Sequence, residues 1–108
     1  MMIFSGQWTA ADYMAAAFQA GRMIRTVDHS VDVIANMTTS IYPPPGIMVA
    51  VARMHLRAPE NVRMIVIVGP ELYATMAQGI NRLVRTGTPR VAYAPSMDAA
   101  MHLLGMRN

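Results

Sequence analysis

Between Asn61 and Pro70 the chain reads "VRMIVIVG", a short run of β-branched and apolar residues bounded by turn residues on both sides. Such a run is long enough for a strand and too short for a helix of ordinary length. Its near-continuous apolarity suits a strand covered on both faces, the situation of a central strand in a parallel sheet. Parallel strands need crossover connections, usually helical, so this segment argues for layered α/β architecture.

The flanking sequence supplies those crossovers. "MMIFSG" reads as a short strand, Met1 to Ser5, closed by a turn at Gly6. Thr9 with Asp12 three residues on forms an aspartate variant of the reciprocal capping box. From Ala10 to about Thr26 the alanine-rich run favours helix, and Tyr13, Met14, Ala17, Phe18 and Ile24 form a one-sided stripe, with Gly21 a weak point. Val31 to Met37 reads as the next strand, and three consecutive prolines after Tyr42 end that region. Pro44 or Pro45 could open a helix over Gly46 to Leu56, where a missing N–H does no harm; Ile47, Val51 and Met54 share one of its sides. Pro70 and Glu71 begin a third helix running to about Arg85 and ended by Gly87, with an acid in its positive first turn. "RVAYA" is a fourth strand, and Ser96 with Asp98 starts a last helix that frays after Gly105. The expected fold is a single α/β domain: a mostly parallel four-stranded sheet with four helices and right-handed crossovers.

Composition narrows the function. With 108 residues the chain suffices for one core without metal or disulfide staples, and it has no cysteine for a thiol nucleophile or thiolate metal site. Hydrophobic residues make up 54% and charged residues 14%, too apolar for disorder. No stretch reaches the roughly 18 apolar residues of a membrane span, and Arg53 interrupts the best candidate, "GIMVAVARMHL". The opening residues lack the pattern of a signal peptide, so a cytoplasmic protein is expected. The net charge of +3 rests on nine arginines and no lysine. These arginines are scattered singly, without the clustered footprint of a nucleic-acid binder. Twelve methionines suit both core filling and adaptable contact surfaces. A domain so sparsely charged is expected to keep an apolar interface patch and to self-associate, as a dimer.

The order of "FSGQWTAADY", "VDVIANMTTS", "APENVRMIVIVGPELYATM" and "RVAYAPSMDAAMHLL" resembles the STAS-like family, the sulphate-transporter and anti-sigma-factor-antagonist domains, including stand-alone bacterial members. The likeness spans nearly the whole chain and is one of pattern. It implies a non-enzymatic protein-interaction domain over residues 1–108, with a protein partner. Two departures stand out. Family members usually begin with a two-strand hairpin, and here only the second strand is present, unless the numbering starts inside a longer gene product. A missing first strand leaves a sheet edge unpaired, which is a template for another chain. In regulated members an aspartate follows the strand and a phosphorylatable hydroxyl precedes a glycine at the next helix. Here those positions are Asn36 and Pro45 before Gly46, so phosphorylation at the matched position is chemically impossible.

Thr38, Thr39 and Ser40 remain as substitutes, Ser40 being the candidate phosphorylation site near a helix start. The favoured reading is structural, since short hydroxyl residues in strand-to-helix loops bond their own backbone. Ligands of open parallel sheets gather beyond the carboxyl ends of the strands. The candidate partner or ligand rim is therefore Asn36, Thr38, Thr39, Ser40, Tyr42 and Gly46, joined by Gly69 and Ser96 from the later loops. The triple proline fixes the helix approach or holds the loop open beside Tyr42. Trp8 at the first turn is expected to cover the end of the core. His29, His55 and His102 share no metal-ligand spacing, and neither "GxGxxG" nor a P-loop occurs, so no catalytic residues, metal or cofactor are expected. The alternative is a small-molecule carrier with a lipid-like or nucleotide-like ligand held between helix and sheet by methionine walls and an arginine.

Overall fold

A computed structural model of the chain describes residues 2–40, 45–83 and 90–105. Four strands, β1 (Met2–Gly6), β2 (Val31–Ser40), β3 (Val62–Val68) and β4 (Arg90–Ala94), alternate with α1 (Ala10–Ile24), α2 (Ile47–Leu56), α3 (Leu72–Leu83) and α4 (Met97–Leu103). The strands lie in the order β1-β2-β3-β4, and every pairing is parallel. This is the α/β class that the alternation of segments implies.

Because each crossover steps one strand further in the same direction and right-handed crossovers dominate, the first three helices share one face. Tyr13 of α1, Val51 of α2 and Ile80 of α3 meet Ala35, Met37, Ile65, Ile67 and Val91 in the larger core. Among the described residues the opposite face is covered by α4 alone, packed on β3 and β4 through Ala100 and Leu104 against Val66, Val68 and Ala94. β3 is thus sheltered on both sides, as its apolar run requires. A bulge at its start lets it serve both cores: Val31 pairs with Val62 but Asp32 with Met64, so Arg63 is the extra residue. Its guanidinium reaches across to the Asp32 carboxylate through Nε–Oδ1 at 3.0 Å and Nη2–Oδ2 at 2.8 Å.

Local chemistry fixes the helix ends. Thr9 and Asp12 form the full capping box: Asp12 N donates to Thr9 Oγ1 at 3.1 Å and Thr9 N to Asp12 Oδ2 at 2.8 Å. Ser96 Oγ accepts from Ala99 N at 3.1 Å and caps α4. Trp8 is buried in the larger core.

Several boundaries differ from the sequence reading. β2 continues through Ser40, because Thr39 and Ser40 pair with Ser5 and Gly6 of β1; these residues belong to a strand, not to a strand-to-helix loop. Gly46 has a positive φ of 76° and α2 begins after it, at Ile47, so Pro45 lies in a turn and not at the first helical position. α3 begins at Leu72, with Pro70 and Glu71 forming the turn before it. Phe18, expected on the core stripe of α1, is 62% exposed. Tyr42, Pro44, Arg85 and Gly87 lie outside the described residues.

Two asparagine side chains replace missing backbone partners. Asn61 Nδ2 donates to the carbonyls of Ile24, Val27 and His29 at 3.0, 3.3 and 3.1 Å, tying the α1–β2 turn to the start of β3. Asn81 of α3 grips Val91 on β4 at both groups, Nδ2 to the carbonyl at 2.6 Å and Oδ1 from the N–H at 3.1 Å. Net contributions of about 1 kcal/mol per hydrogen bond give the expected outcome for Asn61→Ala: a loss of about 2 kcal/mol, read as a lower urea midpoint at unchanged slope.

Candidate functional site

The residues nominated from sequence divide between two settings. All four strands run the same way, so Gly46, Gly69 and Ser96 do stand at the carboxyl rim of the sheet. Most nominated groups there already have structural tasks. Asn36 Oδ1 accepts from Thr38 N at 3.1 Å and from Thr38 Oγ1 at 2.7 Å. Gly69 is buried, and a Cβ there would stand 3.3 Å from the Met37 carbonyl oxygen and 3.2 Å from the Tyr73 ring. Its carbonyl accepts from the Tyr93 hydroxyl at 2.7 Å. Ser96 is a helix cap, and Thr39 and Ser40 pair with the edge strand. Among the described residues the rim is close-knit backbone packing.

A cavity lies at the other end, where the strands begin and where α1 and α2 finish. It holds about 80 Å³ between α1, α2 and the first residues of β2 and β3. Tyr13, Gly21, Val62 and Ile65 are its buried walls, and Phe18, Arg25 and Arg57 are the exposed residues of its rim. The two arginines stand just past the ends of successive helices, Arg25 after Ile24 and Arg57 after Leu56. Arg25 Nη2 donates to the Arg57 carbonyl at 3.2 Å. Gly21 leaves room for this: a Cβ there would stand 3.3 Å from Arg25 Nη1. Among the described residues the ion pair recorded is Arg63 with Asp32, and neither rim guanidinium has an acidic partner.

Chemically the site offers an apolar slot under two cations. Burial pushes the Tyr13 phenol up from 10.0 to about 12. Among the described residues no three histidine or acidic side chains converge as a metal cluster, and no helix is long and apolar enough to cross a membrane. Sequence reasoning missed this site because it followed the carboxyl-end rule of parallel sheets. Two signals pointed to it: a glycine inside an otherwise strong helix and an arginine just past the end of each of two successive helices.

No family model, curated protein or solved structure matches the chain.

The Tyr13 shift has a signed consequence. The phenol ionises near 10 in the unfolded chain and near 12 in the fold, so stability is full below pH 10 and falls as pH rises through that window. The loss amounts to roughly 2–3 kcal/mol by the upper end. Denaturant midpoints measured across alkaline pH should show this slope, and Tyr13→Phe should flatten it.

Proposed function

We propose that the chain is a non-enzymatic interaction module of STAS-like type that associates with a second copy of itself through β1 and operates without the family's phosphorylation switch. One observation carries this reading. The two edges of the sheet are treated differently. At β4 the outward backbone groups of Val91 are occupied by the Asn81 side chain, which blocks that edge against another strand. At β1 no further strand among the described residues pairs with the outer edge.

The surroundings of β1 favour a second copy. Ile3 pairs in register with Asn36 and lies on the face that α4 covers only over β3 and β4, so it is 62% exposed. Phe18 of α1, equally exposed, lines the same cavity as Met2 on the other face. A twofold axis would pair the two β1 strands antiparallel, close the assembly, and bring both sets of apolar side chains together. The bulge between Ile3 and Ser5 restricts such pairing to the first part of the strand. The absence of a switch is supported by Pro45 before Gly46 and by Ser40, which lies in β2 opposite Gly6 and not at a helix start.

Light scattering over a concentration series tests this. The expected mass is twice the 11.8 kDa of one chain, Ile3→Lys should remain monomeric, and Asn81→Ala, which opens the second edge, should form larger species. A strict monomer at high micromolar concentration would contradict the reading.

The carrier reading has its own observation, the cavity at the amino ends of the strands. At about 80 Å³ it accommodates an apolar group of a few carbons and not a nucleotide. Native mass spectrometry of freshly purified protein separates the two readings, since a retained small molecule favours carrying.

A further inference from the structure

We propose that the cavity between α1 and α2 binds a small monocarboxylate, with its alkyl or aryl group in the apolar slot and its carboxylate at Arg25 and Arg57. The inference rests on the carrier reading and names its ligand class.

Size sets the tail. An apolar cavity of about 150 Å³ holds a benzene ring; this one has about 80 Å³, with Phe18 exposed at its rim. A branched alkyl group suits that volume, and a phenyl ring would extend to the exposed rim at Phe18. The buried walls, Val62, Ile65, Gly21 and the ring of Tyr13, are apolar in character and favour a tail without polar atoms.

Charge sets the head. The C-termini of α1 and α2 both end at this rim, and each carries roughly half a negative charge from its dipole. Two guanidinium groups outweigh them and leave a surplus of about one positive charge. A monoanion balances that surplus, whereas a phosphate dianion exceeds it and a neutral group leaves it uncompensated. Geometry agrees. Arg25 is held by its bond to the Arg57 carbonyl and by the space over Gly21, so its planar fork is already oriented before a ligand arrives. A pre-oriented guanidinium suits a carboxylate, which it can bind through two parallel N–H donors. Arg57 faces the same rim with no acidic partner among the described residues.

The experiment is a chemical-shift titration of the whole chain with 3-methylbutanoate and phenylacetate, using their primary amides as neutral controls. The acids should shift the resonances of Ile24, Val62 and Ile65 in a saturable way, and the amides should bind at least tenfold more weakly. Arg57→Met and Arg25→Met should each weaken acid binding about tenfold. Both are exposed substitutions, and their amide spectra report whether the fold is kept. Ala20→Leu, which fills the slot, should abolish binding by a separate route. Equal binding of acids and amides, or acid binding indifferent to both arginines, overturns the carboxylate assignment and leaves the carrier reading standing. Acid binding unchanged by Ala20→Leu overturns the site. If no probe binds and native mass spectrometry finds the protein bare, the carrier reading falls with it.

Discussion

Crossovers of one hand, each stepping one strand further along the sheet, dictate where the helices can go. With strands in the order β1-β2-β3-β4, α1, α2 and α3 all lie on one side, and only the helix after the last strand can turn to the other. The consequence is asymmetric burial. The three-helix face gathers residues from Trp8 to Val91 into one core, while the second face has a small core of Ile34, Val66, Val68, Ala94, Ala100 and Leu104. Apolar burial at roughly 25 cal/mol per Å² drives folding, so most of that drive comes from the first face. Among the described residues no helix covers the β1 side of the second face, and Ile3 is exposed there for a topological reason.

That asymmetry explains how much of the molecule could be read from residues alone. Thr9 with Asp12, Ser96, and the β3 run were legible because each is a local device whose partner lies within a few residues or whose composition admits one environment. Ser40 was not, because its strand conformation depends on β1, some thirty-five residues earlier. Phe18 was misjudged for a related reason. Helical spacing places it on the same stripe as Tyr13 and Met14, but α1 is the outermost helix of its layer, and among the described residues no element flanks it beyond β1. The bulge at Arg63 has no signature in spacing; it follows from Val62 and Ile65 both facing the helices.

The candidate rim and the cavity illustrate the same division. Asn36, Gly69 and Ser96 were nominated as functional because they sit at or just beyond the carboxyl ends of strands, and the fold uses them to bond or approach its own backbone. Arg25, Gly21 and Arg57 come together only when α1 and α2 lie side by side. Phe18 belongs both to the cavity rim and to the exposed ground beside β1. The proposed docking of a second copy and the proposed occupation of the slot would therefore meet on one surface.

Backbone amide exchange in the two outer strands, followed at low and high protein concentration, addresses the unequal edges most directly. The Val91 amide, bonded to Asn81 Oδ1 at 3.1 Å, should exchange slowly at both concentrations. Outward amides of β1 should exchange quickly when dilute and slow down as second copies pair with them. Fast exchange at Val91, or β1 protection that ignores concentration, would contradict an edge sealed on one side and open on the other.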